Sequence, residues 1–156
     1  MTRQIDISNL HPKVEISKAK LRRFMRLLDA EMPPQFRAPA GTLSLVVTDD
    51  ALIAKIHADF MNKPSPTDVI TFEGDTEDAE DGGEICASAD TAISNAPKFS
   101  NTPSRELSLY FAHGYLHLAG VDDIAEEDAK IMRRAEALAL EILDKHFKTP
   151  IFAFND

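Results

Sequence analysis

The spacing of apolar and polar positions along the chain predicts short strands and amphipathic helices. Strands are expected where apolar residues alternate with polar ones or form short runs, and helices where they recur every three or four positions. The predicted strands are residues 4–8, 42–47, 69–72 and 84–88. The predicted helices are residues 17–30, 51–60, 90–97, 104–118 and 125–147. This order predicts one α+β domain over residues 1–156, a small mixed four-stranded sheet packed by about five helices.

Both ends of the predicted helix 104–118 carry recognisable signals. Thr102 is a favourable N-cap, and Pro103 suits the first helical position, where no backbone N–H is needed. Gly120 follows the helix and can adopt the left-handed conformation that a residue with a Cβ resists. We therefore expect the chain to turn sharply at Gly120 and to bring the next residues back toward the end of the helix.

His113 and His117 carry the most specific chemistry in the sequence. They lie four residues apart on the predicted helix, so their side chains share one face, about 5–6 Å apart at Cβ. The turn at Gly120 can bring Asp123 toward them. Three protein ligands with a fourth position open to water form the arrangement of a catalytic zinc site. The predicted cofactor is one Zn²⁺ ion, and the charge of Asp123 makes a harder divalent ion the alternative.

Asp123 also has a competing structural interpretation. Asp122 or Asp123 could be the N-cap of the last helix, since Asp is a preferred capping residue. One of the two could cap the helix while the other binds metal, and the spacing favours Asp123 as the ligand. The pattern matches the metzincin signature H-x3-H-x2-G-x2-H at all but two places. Gly114 stands where a metalloprotease has its Glu base, and Asp123 stands where the third His would be.

The composition is that of a soluble globular protein with excess negative charge. Apolar residues make up 44% of the chain and charged residues 28%. The net charge of −9 argues against a protein that coats nucleic acid nonspecifically. There is no apolar run of membrane length and no secretory signal pattern, so we expect a cytoplasmic protein without a membrane partner. Cys86, the only cysteine, cannot form an internal disulfide and is expected to be a buried core residue.

Three segments of the chain resemble the YbeY family. Residues 113–123, HGYLHLAGVDD, agree with the family's H-G-x-L-H-L-x-G-x-D-H at ten of eleven positions, counting the unspecified ones. Residues 66–72, PTDVITF, correspond to P-T-D-V-L-S-F, and residues 83–88, GEICAS, correspond to G-D-I-x-I-S. The order, spacing and length all fit, so the resemblance covers essentially the whole chain.

The resemblance implies a zinc-dependent endoribonuclease that cleaves single-stranded RNA in small-subunit ribosomal RNA maturation and ribosome quality control. The implied partners are single-stranded or ribosomal RNA and the small ribosomal subunit. A metal at the site would polarise a phosphoryl oxygen and lower the pKa of its bound water. No carboxylate of the motif is placed as the general base, so the catalytic candidates are Lys63, Glu84 and Asp68. Lys63 and Thr67 are the candidates for substrate binding.

The chain departs from the family pattern before the Pro-Thr-Asp block as well as at Asp123. Phe60-Met61-Asn62 stands where the family has Tyr-Arg-Gly, and the Arg is associated with RNA phosphate. Lys63 could supply a positive charge instead, without the bidentate fork of Arg, or it could be a solvated loop residue. Another positive surface, the helical stripe Lys18, Arg22 and Arg26, could meet the RNA backbone or the ribosome.

Two other functions compete with RNA cleavage. A metalloprotease shares the zinc-binding skeleton, but Gly114 in place of the Glu base argues against it. With Met61 and Asp123 at two key positions, the chain could also be a metal-stabilised ribosome-assembly factor that binds without cutting.

Overall fold

The computed structural model describes residues 3–62 and 67–155. The strands are β1 (Ile5–Asn9), β2 (Val14–Ile16), β3 (Thr42–Thr48), β4 (Val69–Phe72), β5 (Asp81–Ser88) and β6 (Phe152–Phe154). The helices are α1 (Lys18–Glu31), α2 (Asp50–Met61), α3 (Ala89–Asn95), α4 (Pro103–Leu118) and α5 (Glu126–His146), with short 3-10 turns at Pro34–Phe36 and Ala96–Phe99.

The main sheet has the strand order β1-β3-β5-β4. β1, β3 and β5 run parallel, and β4 pairs antiparallel with β5 at the edge. This confirms the predicted mixed four-stranded sheet with five helices. A second sheet, which the sequence pattern did not predict, pairs β2 with β6 in antiparallel register. Each of its strands has three residues, too few for alternation to be recognised.

Helix α4 packs on one face of the main sheet, against β4 and β5, while α2 packs on the other face. The α4 helix starts as predicted, with the Thr102 hydroxyl accepting a hydrogen bond from the backbone N–H of Arg105 and Pro103 in the first turn. On the α2 side, Cys86 packs with Ile53 and is 2% exposed. The prediction that Cys86 is a buried core residue is thus confirmed.

The start of α5 decides between the two sequence interpretations of Asp122 and Asp123. The N-cap of α5 is Ala125, whose methyl side chain cannot accept a hydrogen bond, so neither Asp122 nor Asp123 caps that helix. Helix α5 ends at His146, and the chain then returns through β6 to pair with β2. Within the described residues, none of the helices is long and apolar enough to cross a bilayer.

Candidate metal centre

His113 and His117 lie one turn apart on the exposed side of α4, as their spacing predicted. Their Nε2 atoms are 2.9 Å apart, and their rings meet edge to face. The His113 side chain is 19% exposed and that of His117 is 30% exposed. Each imidazole therefore directs its Nε2 atom to the same point at the protein surface.

The opposite side of α4 is anchored through Tyr115, which lies between the two histidines in sequence. Its hydroxyl donates a 2.6 Å hydrogen bond to Asp29 on α1, and Arg3 binds the same carboxylate at 2.7 and 2.8 Å. Tyr115 is fully buried. Burial raises the pKa of Tyr115, and the hydrogen bond to Asp29 adds to the effect, so the hydroxyl stays protonated and remains a donor.

Gly120 makes the predicted left-handed turn, with φ of +92°. The backbone N–H of Gly120 donates to His117 O, and that of Val121 donates to Leu116 O, each at 3.0 Å. These two bonds form a Schellman motif, which closes the end of α4 and reverses the chain direction. A Cβ at position 120 would touch nothing within 4 Å, so the requirement for glycine is conformational rather than steric.

The loop after Gly120 brings Asp123 to the histidines. Asp122 holds this loop, because its Oδ1 accepts hydrogen bonds from the backbone N–H groups of Asp123 at 2.7 Å and Ile124 at 3.3 Å. Asp123 Oδ2 lies 3.4 Å from His113 Nε2 and 3.5 Å from His117 Nε2. Asp122 thus supports the loop, and Asp123 faces the two imidazoles.

The three donor atoms fit one divalent ion. All lie within 4.8 Å of one another, and their pairwise separations are 2.9, 3.4 and 3.5 Å. Two ligands bound about 2.0–2.1 Å from a tetrahedral ion stand about 3.3 Å apart, which is close to these separations. His113, His117 and Asp123 could therefore hold a metal ion, with the solvent side left for a further ligand.

Glu136 on α5 contacts the far side of His113. Its Oε2 lies 2.8 Å from His113 Nδ1. Burial alone would lower the pKa of His113, but the hydrogen bond to Glu136 and the negative charge of that carboxylate outweigh burial and raise it. Sequence reasoning did not single out Glu136. The available signal was a carboxylate at the border of the buried stripe of α5, beside Ala135 and one turn after Met132.

An open cleft of about 390 Å³ lies in front of the metal-binding group. Besides the three candidate ligands, its lining includes Met61, Asp68, Thr71 and Glu73. Asp68 is held by its own neighbours, since its Oδ1 accepts hydrogen bonds from the backbone N–H of Val69 at 2.8 Å and the Thr67 hydroxyl at 3.3 Å. The cleft therefore presents carboxylates beside the place where the metal would bind.

A comparison with models of known protein families identifies the family of this chain. The model described as Endoribonuclease YbeY matches residues 6–144. The chain belongs to the YbeY family. Endoribonuclease YbeY of Rhodopirellula baltica is 42% identical over 105 residues, which cover 66% of this chain and 54% of that protein. Endoribonuclease YbeY of Protochlamydia amoebophila is 33% identical over 144 residues, covering 90% of this chain and 93% of that protein.

The fold is also similar to a solved structure. The solution structure of a Thermotoga maritima protein matches with a TM-score of 0.60 and 26% sequence identity, covering 90% of this chain and 89% of that one. The similarity in fold thus extends over nearly the whole chain, and the family match includes the helix and loop that carry the candidate metal ligands.

The remaining candidates from the YbeY motifs differ in where they lie. Glu84 is adjacent in β5 to Ile85, which faces Gly114 of α4, so Glu84 points to the opposite face of the sheet. There it accepts a hydrogen bond from the thiol of Cys86. The Thr67 hydroxyl donates a hydrogen bond to the Asp68 carboxylate. Lys63 lies outside the described residues. Of the carboxylates considered as base, Asp68 is the one that lines the cleft.

The end of α2 explains one departure from the YbeY motif. Asn62, where the family has Gly, is the C-cap of α2 and adopts the left-handed conformation, with φ of 58°. Asn is the non-glycine residue that best tolerates this conformation, so the turn is preserved. Met61, where the family has Arg, is 44% exposed and lines the cleft. The backbone therefore presents position 61 to the cleft while the charge of the family's Arg is absent.

The basic stripe on α1 is partly engaged in the fold. Arg22 donates to the backbone carbonyl of Ile5 at 2.9 Å, and Arg26 donates to that of Arg3 at 3.3 Å. Both arginines thus connect α1 to β1 and to the residues that precede it. Lys18 is exposed. A role of this stripe in meeting RNA or the ribosome stays a prediction.

Proposed function

We propose that this chain is one metal-dependent endoribonuclease domain that cleaves single-stranded RNA and acts in small-subunit ribosomal RNA maturation and ribosome quality control. The observation that carries the proposal is the convergence of two imidazole nitrogens and one carboxylate in an open cleft of a YbeY-family chain. The described helices contain no membrane span, and RNA and the small subunit are the proposed partners.

His113, His117 and Asp123 would hold one ion in this proposal. Imidazole favours zinc, while the carboxylate widens the choice toward harder divalent ions. When bound, such an ion would polarise a phosphoryl oxygen and lower the pKa of a coordinated water. Asp123 neutralises part of the ion's charge, so the site should be a weaker Lewis acid than one built from three histidines.

Phosphate binding should depend on the metal, because the cleft itself is acidic. Its described lining includes Asp68, Glu73 and Asp123 but neither Lys nor Arg. An RNA phosphate would be repelled by these carboxylates unless a cation were present. Lys63 is proposed as a supplementary positive charge for the phosphate, and Thr67 as a neutral contact to the substrate.

Asp68 is the carboxylate that we propose as the general base. It lines the cleft, and its negative charge is one of the causes that raise the pKa of His113, which reflects its closeness to the metal-binding group. The hydrogen bonds from Val69 and Thr67 to its Oδ1 fix the carboxylate at the edge of the cleft. In that position it can take a proton from a water molecule that attacks the phosphorus atom.

A protease function has less support. The Glu base of a metalloprotease would have to occupy position 114, and a Cβ there would lie 2.5 Å from Ile85 Cγ2. Position 114 faces the sheet rather than the cleft, so it cannot present a base to a bound peptide. The remaining alternative, a metal-stabilised assembly factor that binds RNA without cutting it, differs from the proposal only in catalysis.

One experiment separates these functions. Labelled single-stranded RNA and casein are incubated with the purified protein, with and without a chelator, and zinc is then restored. We expect cleavage of RNA alone, its loss with the chelator and its return with zinc. His117→Ala should be inactive, and Glu141→Gln, an exposed change on α5, should match the wild type. Cleavage of casein would favour the protease, and metal-dependent RNA binding without cleavage would favour the assembly factor.

A further inference from the structure

Both ring nitrogens of His113 are engaged, and they face opposite sides of the ring. Nε2 faces the candidate metal position, 2.9 Å from His117 Nε2 and 3.4 Å from Asp123 Oδ2. Nδ1 lies 2.8 Å from Glu136 Oε2 on α5. The ring is therefore fixed between two helices and the loop that joins them, and its rotation would break one contact or the other.

A carboxylate at Nδ1 also selects the tautomer of His113. A neutral imidazole carries one proton, and a carboxylate can only accept a hydrogen bond, so the proton must lie on Nδ1. The lone pair is then on Nε2, where the metal would bind. We propose that Glu136 is a positioning residue that holds His113 in the tautomer and orientation required for metal binding. This inference rests on the metal site of the proposed function.

In the described part of its cavity, Glu136 interacts with His113 and has no Lys or Arg side chain beside it. Glu136 is 21% exposed and lines a second cavity behind His113. The described lining of that cavity contains other acidic residues, Asp68 and Glu106, but neither Lys nor Arg. Among the residues described around this cavity, Glu136 therefore has no Lys or Arg partner with which it could form a structural ion pair.

Packing of α5 against α4 sets the length that this side chain must span. Ala135 and Ala139 are fully buried on either side of Glu136, and Met132 is 2% exposed one turn earlier. The backbone of α5 at position 136 is therefore held at a fixed distance from α4. A glutamate bridges that distance, and an aspartate, shorter by one methylene, would not reach Nδ1 without moving the helix.

The inference is tested by zinc affinity, measured by competition with a chromophoric chelator, for variants at position 136. Removal of such a supporting carboxylate typically weakens metal binding about 10–100-fold. We expect a loss in this range for Glu136→Ala and Glu136→Asp. Glu136→Gln should lose less, about tenfold or below, because the amide oxygen can still accept from Nδ1. Glu141→Gln makes the same charge change at an exposed position of α5 and should bind zinc like the wild type.

Thermal unfolding of the metal-free variants separates positioning from folding. The melting temperatures of the Glu136 variants should stay close to that of the metal-free wild type. Wild-type zinc affinity in Glu136→Ala, with zinc binding lost in His117→Ala, would overturn the role of Glu136 and leave the metal site intact. Zinc binding that survives in His117→Ala, or is absent from the wild type, would overturn the site and this inference together. Equal losses in Glu136→Ala and Glu141→Gln would show a general charge effect and would also overturn it.

Discussion

Gly114 of α4 lies directly against Ile85 of β5, so closely that a Cβ at position 114 would come within 2.5 Å of Ile85 Cγ2 and 3.1 Å of Thr71 Oγ1. The absence of a side chain lets α4 approach the sheet, while the neighbouring His113 faces the cleft. The glycine that interrupts the metalloprotease pattern in sequence is thus a packing requirement in the fold.

Gly114→Glu should therefore destabilise the protein and should not create a protease. The longer side chain would overpack the contact with Ile85 and bury a carboxylate, at a cost of at least about 3 kcal/mol in the free energy of unfolding. Urea unfolding and a casein assay measure the two effects. Gly114→Ala, which adds only the Cβ, is the matched variant and should cost less. A Gly114→Glu protein as stable as the wild type would show that α4 is not held so close to β5.

Local features of the chain could be predicted from the sequence because they depend on residues close together. The pair His113 and His117 needs only one helical turn, and the bend at Gly120 follows from the conformational freedom of glycine. The strands of the main sheet were recognisable because each has four or more residues with apolar runs or alternation. In each case the signal lies within a single element.

Features that depend on distant packing could not be predicted in the same way. Glu136 is 23 residues from His113, and the contact exists because α5 packs on α4. The pairing of β2 with β6 joins the two ends of the chain through three residues each. Glu84 and Asp68 both looked available as bases, but Glu84 contacts Cys86 on the side of the sheet away from α4. Asp68 precedes β4 and lines the cleft.

The buried thiol of Cys86 should make the folded protein less stable at alkaline pH. Burial, the negative charge of Glu84 and the hydrogen bond to it raise the pKa of the Cys86 thiol from 9.0 to about 12. The unfolded chain loses this proton at lower pH than the folded chain, so the stabilisation is complete below pH 9 and is lost progressively as the pH rises toward 12. The free energy of unfolding should therefore fall more steeply above pH 9 in the wild type than in Cys86→Ala.

The Cys86→Ala comparison controls for other groups that titrate at high pH. Tyr110 and Tyr115 also have raised pKa values, but they are present in both proteins and contribute equally to both curves. Urea unfolding at pH 8, 9 and 10.5 is the measurement. Parallel pH profiles for the two proteins would mean that the Cys86 thiol ionises as readily in the folded chain as in the unfolded one.

Met61→Arg should strengthen RNA binding. Position 61 lines the cleft at the end of α2, and the family motif has Arg there. An added guanidinium can make one bidentate contact with phosphate, which we expect to raise affinity for single-stranded RNA about threefold to tenfold at moderate salt. The slope of log affinity against log salt should steepen by about 0.7, the value for one phosphate of a single strand. Met61→Leu is the neutral control, and an unchanged slope in Met61→Arg would count against a phosphate contact at this position.

Asp122 and Asp123 should differ in how their removal affects metal binding. Asp123 Oδ2 faces both imidazoles, whereas Asp122 Oδ1 holds the loop through two backbone N–H groups. Asp123→Ala should weaken zinc binding by more than about 100-fold, beyond the range for supporting residues, and Asp122→Ala by about tenfold. Asp123→His should retain or tighten binding, because imidazole is a good zinc ligand. Competition with a chromophoric chelator measures all three affinities.

The same variants test whether Asp123 acts as a ligand or as part of the fold. Since Ala125 is the N-cap of α5, loss of Asp123 removes no helix cap, and metal-free Asp123→Ala should unfold within about 0.5 kcal/mol of the wild type. A helix-capping role would instead cost about 0.5–2 kcal/mol in both Asp123→Ala and Asp123→His and would leave zinc affinity unchanged. If zinc binding were lost in Asp122→Ala and kept in Asp123→Ala, Asp122 rather than Asp123 would be the third ligand.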